Sequence, residues 1–319
     1  MVSIVLSCCL LSVKFEARIF RSVCVSDCAA VASTELRNNL PQTPATAYVI
    51  EHDFEADVEG LDLIECVQAK YTPPFLVCVY PSFIDVYVSQ ALRSRGSWEA
   101  EISDSIMTSL QSHPDAGFLD IGANIGAHSL RAAAIGRSVV MIEPLQSNVK
   151  RLHKSVNING MTSRVRLFEN AVCDSRSHRM LHVTRGSLGG NTLDRKLTPG
   201  EIRNESVTCI RMDDVTSLLP FTTAIMKIDI EGWEHRAFVH AEHLLTRVDV
   251  PVIYMEWVNM KRVLSDSSRT ADAVLIERML TLLTTHSYTP HSLVNESLDI
   301  TQVSQWPFDV VWYKNKRNH

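Results

Sequence analysis

The chain has 319 residues, 45% of them hydrophobic and 21% charged, with a formal net charge of −5 and a pI near 6.2. That is enough chain for one large core or a core with an appendage. The charge balance leaves no footprint for nucleic acid, and the one short basic run, Lys314 to Arg317, reads as a solvated tail. Eight cysteines (Cys8, Cys9, Cys24, Cys28, Cys66, Cys78, Cys173, Cys209) contain no C-x-x-C pair. That spacing indicates neither a zinc ribbon nor a dithiol redox motif, and most of the cysteines are expected to be free thiols. Asn204-Glu205-Ser206 and Asn295-Glu296-Ser297 fit the glycosylation acceptor pattern, which carries meaning only in a secreted protein.

Val2 to Val13 is apolar apart from serines, lacks the basic start of a signal peptide and is too short to span a bilayer. It reads as a buried or disordered segment, with a cleaved signal or truncated anchor as the alternative. No stable membrane span is evident. The compartment stays open, with the cytoplasm favoured and the secretory pathway the alternative if residues 2–13 are a signal or anchor. Residues 1–60, broken by Pro41 and Pro44, are expected to be a weakly structured extension. Residues 61–115 are expected to pack on the main domain as a hairpin and a helix. Phe75 to Tyr80 and Ile84 to Val88 form the hairpin about Pro81-Ser82, and Gly96-Ser97 opens a helix from Trp98 to about Gln111 that Pro114 ends.

From residue 116 to 319 strands alternate with helices. Strands are expected at 117–122, 138–143, 164–169, 224–230, 251–257 and near 308–313, with helices at 126–135, 146–158, 233–246 and 270–286. Alternation of this kind predicts an α/β domain whose parallel sheet is covered by helices on both faces. The interval from Cys173 to Thr223 breaks the rhythm, with short strand candidates at His178 to Thr184 and Val207 to Ile210 around Gly186, Gly189, Gly190 and Pro199. It reads as an insertion whose glycine-rich part forms a mobile wall of the site.

The first chemical signal is Phe118-Leu119-Asp120-Ile121-Gly122-Ala123-Asn124-Ile125-Gly126, an apolar strand stopped by a glycine turn before a helix. That is how an open α/β sheet presents backbone to a nucleotide-like ligand. Asn124 stands where the dinucleotide fingerprint G-x-G-x-x-G needs its middle glycine, which demotes a pyrophosphate cofactor. Glu143 ends the next strand 21 residues after Gly122, close to the offset of about twenty at which an acid meets ribose hydroxyls. A ribose acid without a pyrophosphate site points to S-adenosylmethionine. The second signal is Lys227-Ile228-Asp229-Ile230-Glu231-Gly232-Trp233-Glu234, another strand ending in acids and a glycine. In an open sheet the carboxyl ends of such strands converge, which brings Asp120, Glu143, Asp229 and Glu231 to one crevice.

Leu119 to Gly126, Ile142-Glu143-Pro144 and Lys227 to Gly232, in this order, resemble the FkbM family of S-adenosylmethionine-dependent methyltransferases. The resemblance runs from about Trp98 to Trp257 and includes Ser97-Trp98-Glu99, Arg211 to Val215 and Tyr254-Met255-Glu256. It implies a class I methyltransferase (Rossmann-like) fold with a mostly parallel seven-stranded sheet. It also implies O-methylation of a hydroxyl on a small-molecule or carbohydrate-like (glycan) acceptor. By position it places Gly122, Asn124 and Gly126 at the methionine end of the cofactor, Asp120 at its amino group, Glu143 at the ribose, Asn170 and Ala171 beside adenine, and Glu99 near the cofactor.

Methyl transfer to an ordinary alcohol needs a proton acceptor. Asp229 and His235 are the candidates, with Glu231 as helper or as ligand of a divalent metal, the second cofactor considered. Each residue has a structural competitor: Asp229 or Glu231 can cap the following helix, and His235, His240 and His243 can line one solvated helical face. Trp98, Trp233 and Trp257 can pack a core or rim, and Glu99 can stabilise a helix start. Two other functions compete with a methyltransferase, a non-catalytic S-adenosylmethionine-binding interaction module and an NAD-dependent oxidoreductase.

Overall fold

The computed structural model describes residues 47–184, 187–193 and 201–315. Residues 2–13, Pro41, Pro44, Cys8, Cys9, Cys24, Cys28, Gly186, Pro199 and the Lys316-Arg317 end of the basic run lie outside them. The chain opens with β1 (Cys66–Ala69), β2 (Phe75–Cys78), α1 (Val88–Arg95) and α2 (Ala100–Ser112). Then come β3 (Gly117–Ile121), α3 (Ala127–Ala134), β4 (Val139–Ile142), α4 (Gln146–Ile158) and β5 (Val165–Phe168). An insertion follows, made of β6 (Ala171–Val172), β7 (Ser177–Thr184), β8 (Ser187–Leu193) and β9 (Glu201–Ile210). The chain closes with β10 (Thr223–Ile228), α5 (Glu234–Ala237), α6 (Glu242–Arg247), β11 (Asp249–Glu256), α7 (Val258–Ser265), α8 (Thr270–Thr285), β12 (Tyr288–His291) and β13 (Asp309–Lys314).

Seven strands form the main sheet in the order β12-β13-β11-β10-β3-β4-β5. The five from β11 to β5 run parallel, and β13 is antiparallel to both β11 and β12. All five residues of β3 and all four of β4 are buried, as a parallel strand covered on both faces requires. Successive residues feed opposite layers: Phe118 and Val139 enter one core with Val149, Leu152 and Val156 of α4, while Leu119 and Val140 enter the other with Leu244, Met279 and Leu283. The spacing of Val149, Leu152 and Val156 at i, i+3 and i+7 is the apolar stripe that seats α4 on the sheet. The expected mostly parallel seven-stranded α/β sheet, helices on both faces, is the observed one. Among the described residues no helix is long and apolar enough to cross a membrane.

Other expectations give way. The hairpin pairs β1 with β2, Cys66 opposite Cys78, rather than residues 75–80 with 84–88. The alternation in Ile84 to Val88 is overruled by Asp85, whose carboxylate accepts the backbone N–H of Tyr87 (3.2 Å) and Ser89 (2.8 Å) and so caps α1. The helix expected at 233–246 breaks at a 3₁₀ turn over Phe238–His240. The start of α6 is then satisfied from outside, because Asp213 accepts the Leu244 N–H at 2.8 Å. The strand candidates at 178–184 and 207–210 are found within β7 and β9, which with β6 and β8 form a second sheet, β6-β9-β7-β8, so the insertion is more regular than a substrate loop.

The cysteines are not free thiols where they are described, since Cys66 pairs with Cys78 and Cys173 with Cys209. Residues 48–52 are also more ordered than a weakly structured extension. They lie along the outer edge of β5, with the His52 N–H on the Leu167 carbonyl and the Glu169 N–H on the Ile50 carbonyl, both at 2.8 Å. That contact covers a strand edge that would otherwise be open.

Candidate active site

At the carboxyl end of β3 the chain turns through Gly122 (φ 85°), Asn124 (φ 53°) and Gly126 (φ 85°). The left-handed conformation alone favours glycine, and packing makes it obligatory at Gly122, where a Cβ would stand 1.9 Å from the Asp229 carbonyl oxygen. Asn124 is a residue that tolerates this conformation. Its N–H points to Glu143 Oε2 at 2.8 Å, while Glu143 Oε1 accepts the Leu145 N–H (2.9 Å) and Asn148 Nδ2 (3.1 Å). Glu143 is 5% exposed. Burial pushes its carboxyl up to about 7 against the pull of those three donors.

This turn forms one wall of a cavity of about 670 Å³, lined there by Gly122, Ala123, Asn124, Glu143, Asn170 and Ala171. That volume lies in the range of about 300–1,000 Å³ that suits a cofactor-sized ligand. Beside it, where β10 runs next to β3, the lining carries Glu99, Lys227, Asp229, Glu231 and Glu256. Because Ile228 pairs with Met255 in parallel register, the next residues along, Asp229 and Glu256, stand side by side at the strand ends. Carboxylate oxygens of Asp229, Glu231 and Glu256 all lie within 4.8 Å of one another. Asn259 Nδ2 bridges two of them, at 2.7 Å from Glu256 Oε2 and 3.3 Å from Glu231 Oε2.

Electrostatics divides this group. Lys227 Nζ donates to Asp229 Oδ2 at 2.9 Å. Burial alone would lower the lysine, but the charges of Asp229, Asp120 and Glu99 outweigh it and hold the ammonium protonated far above its ordinary range. Glu231 and Glu256 are raised as well, by burial and by the neighbouring Asp229 charge, which in a carboxyl favours the neutral form, so the pair retains a proton near neutrality. Glu99 sits 3.2 Å from His128 Nε2. Burial would raise it too, yet the His128 bond and the Lys227 charge bring it below its usual value. Three carboxylate oxygens are the donors that hard divalent cations take. Here Lys227 already neutralises Asp229, and Asn259 already bridges the other two.

Several expected site residues lie outside the lining or have their polar groups engaged by other partners. Asp120 lies under the turn and does not line the cavity; its Oδ2 accepts Ser129 Oγ at 2.6 Å and its charge supports Lys227. Gly126 also misses the lining, since its α carbon faces Leu152 and Leu130 and its role is to start α3. The Asn170 amide is committed to backbone, accepting the Ile50 N–H and donating to the Tyr48 and Thr208 carbonyls, so it has no donor left for an adenine edge. His235 is the clearest correction. Its ring is 1% exposed, lies outside the cavity lining and meets Asp272 Oδ1 at 3.2 Å, while burial lowers its pKa.

Lys227, Glu256, Asn259 and His128 were not singled out as site residues from the sequence. Lys227 was within reach, because strand alternation puts residues 227 and 229 on one side. Glu256 required the register of β10 against β11. The aromatic expectation divides: Trp98 and Trp233 line the cavity, whereas Trp257 is fully buried against Trp306. The Trp233 ring lies 4.9 Å from the guanidinium carbons of both Arg179 and Arg236, which fixes it at the wall. Leu181 and Leu193 of the inserted sheet complete that side.

A family model described as the methyltransferase FkbM domain matches residues 120–288. No curated protein matches the sequence at a significant level. Among solved structures, the chain is similar to an O-methyltransferase from Bacillus cereus in complex with SAH, at 13% identity over 67% of this chain and 80% of that one, with a TM-score of 0.39. It is also similar to the O-methyltransferase TomG from Streptomyces achromogenes in complex with SAM, at 12% identity over 72% and 88% of the two chains, with a TM-score of 0.41.

Proposed function

We propose, from the premise that the chain belongs to the FkbM methyltransferase family, that it uses S-adenosylmethionine to methylate a hydroxyl on a small-molecule or carbohydrate-like acceptor. The observation that carries this reading is a cavity lined by two unlike groups, the Gly122–Asn124 turn with Glu143 and the Asp229–Glu231–Glu256 carboxylates. The residues fit the cofactor. The first group offers close backbone and one buried acid, with no glycine at position 124 for a pyrophosphate, and the cavity is rich in carboxylates, which favours a cationic ligand. When bound, the cofactor supplies an electrophilic methyl group on a sulfonium.

The chain's own residues account for the rest. Glu143 Oε1 is already filled by two donors, whereas Oε2, with the Asn124 N–H alone, has a further lone pair with which to accept a ribose hydroxyl. Lys227, locked in the protonated state, fixes the Asp229 carboxylate, and Asp229 orients the acceptor hydroxyl. The proton-sharing Glu231–Glu256 pair, once ionised, receives the hydroxyl proton, as its raised affinity for protons suits it to do near neutral pH. Trp98 and Trp233 reduce water access to that wall. Holding the acceptor oxygen about 3 Å from the methyl carbon contributes several kcal/mol to the rate.

The test is incubation with methyl-labelled S-adenosylmethionine and fractionated extract, with and without chelator, followed by mass identification of the product. Label is expected in a hydroxyl-bearing compound and is expected to be lost in Glu231→Gln. Persistence with chelator assigns the carboxylate wall to Lys227 and Asn259 alone, and loss assigns it to a divalent cation. Binding of the cofactor with no transfer to any fraction would overturn the proposed reaction.

A further inference from the structure

We propose that Asn295 is a site of N-linked glycosylation and that the chain matures in an oxidising compartment that attaches such glycans. Two independent observations converge, and neither rests on the proposed activity. The first is the state of the cysteines. All four that the described residues include are paired, Cys66 with Cys78 across the hairpin and Cys173 with Cys209 between β6 and β9, at sequence separations of 12 and 36. A reducing cytosol keeps such pairs as thiols, whereas a secretory lumen forms and preserves them. Both bridges lie in the appendages rather than in the parallel core: one closes the hairpin before α1, the other ties the inserted sheet together.

The second observation is the setting of Asn295-Glu296-Ser297. β12 is the outermost strand of the main sheet, and the loop after it folds back along that strand, with the Leu298 N–H on the Pro290 carbonyl at 2.9 Å and a bridge between His291 and Ser297. At the apex the chain reverses through a tight turn. The Asn295 N–H reaches the Ser292 carbonyl (2.9 Å), the Ser292 N–H reaches the Glu296 carbonyl (2.8 Å), and the Glu296 N–H reaches Ser292 Oγ (3.1 Å). Asn295 takes φ 64°, a left-handed conformation that asparagine tolerates better than most residues.

Asn295, Glu296 and Ser297 are all exposed, and among the described residues no hydrogen bond holds the Asn295 side-chain amide. The site lies outside the cavity lining, so a large hydrophilic substituent there leaves the cavity open. Surface loops of this kind in secreted chains are where the acceptor pattern is used. Attachment replaces one N–H of the Asn295 amide with a bond from Nδ2 to the anomeric carbon of an oligosaccharide. The anomeric C–O bond to a polyprenyl pyrophosphate donor breaks, the pyrophosphate leaves with the electron pair, and the amide proton passes to a base of the transferase.

The experiment uses the full chain isolated from its native cells, alkylated without prior reduction, then treated with peptide N-glycosidase in ¹⁸O water and mapped by mass. The expected result is residue 295 recovered as ¹⁸O-labelled aspartate. That label is lost in Ser297→Ala, kept in Ser297→Thr, and accompanied by disulfide-linked Cys66–Cys78 and Cys173–Cys209 peptides. Asn295→Gln is expected to remove the glycan and leave cofactor binding unchanged. Recovery of unlabelled Asn295, or alkylation of the four cysteines before reduction, overturns the proposal.

Discussion

Replacing Lys227 by Met keeps the volume of the side chain and removes the charge that balances the acidic wall. The ammonium is buried, lies 2.9 Å from Asp229 Oδ2, and is held protonated by Asp229, Asp120 and Glu99. At that distance the gross attraction is about 5–6 kcal/mol for an effective dielectric near 20. Breaking a buried pair by deleting one partner costs about 3–5 kcal/mol, because the surviving charge is left uncompensated. The Asp229 side chain retains 28% exposure, so water softens the loss toward the lower end, about 3 kcal/mol. At about 2–4 °C per kcal/mol for a domain of this size, the melting temperature falls by about 6–12 °C.

The sign with pH follows from the raised lysine pKa: the stabilisation is complete below the ordinary value of 10.5 and is lost only as pH climbs through the higher folded value. The deficit of the variant therefore persists across neutral pH and narrows in acid, where the orphaned carboxylates take up protons. Urea unfolding at pH 7 and pH 4 measures it, and adding Asp229→Asn to Lys227→Met is expected to restore stability by removing the orphaned charge. A loss below about 1 kcal/mol, or a double variant less stable than Lys227→Met, would refute the assignment of Lys227 as the counter-charge.

Because burial and the Asp229 charge raise Glu231 and Glu256 above their ordinary 4.5, kcat/KM is expected to climb with pH through neutrality instead of levelling off in the usual carboxylate range. Asp229→Asn should move that limb to lower pH by about one unit or more, since two charges within 4.8 Å interact by several kcal/mol at most and about 1.4 kcal/mol corresponds to one unit; an unmoved limb in the pH–rate profile would remove the pair from the proton path. Gly122→Ala should cost several kcal/mol in urea unfolding, because its Cβ would overlap the Asp229 carbonyl, whereas Gly136→Ala, at the same φ of 85° with nothing within 4 Å, should cost only about 1 kcal/mol. Equal losses would mean that conformation alone, and not close packing of the turn, explains the glycine. Loop-closure entropy assigns about 3 kcal/mol to Cys66–Cys78 and about 4 kcal/mol to Cys173–Cys209. Paired Ser substitutions followed by urea unfolding should therefore cost more at the second bridge, and no loss at either would leave the bridges without a stabilising role.

The parallel strands were legible because their burial on both faces leaves unbroken apolar runs, such as Val139 to Ile142, ended by the acid Glu143. What escaped the sequence depended on partners distant in the chain. Ile84 to Val88 alternates like a strand, and only the reach of Asp85 to the Ser89 N–H turns it into a helix start. β12, with Pro290 in its middle, lacks strand character and exists because β13 pairs with it. In the site, Glu143 and Asp229 could be placed by strand-end logic alone. His235 could not be excluded that way, since the decision rests on Asp272 in α8, 37 residues away, which draws the ring from the cavity. The same holds for Asn170, whose amide is consumed by a segment 120 residues earlier.

If the Gly122–Asn124 turn and Glu143 together hold S-adenosylmethionine, calorimetric titration with the cofactor reveals it. Saturable binding by the wild-type chain is expected, weakened about 10-fold or more in Glu143→Ala, because hydrogen bonds to a charged group contribute about 1.5–3 kcal/mol, with no binding of NAD. Binding of NAD without S-adenosylmethionine, or a Glu143→Ala variant with undiminished affinity, would contradict it.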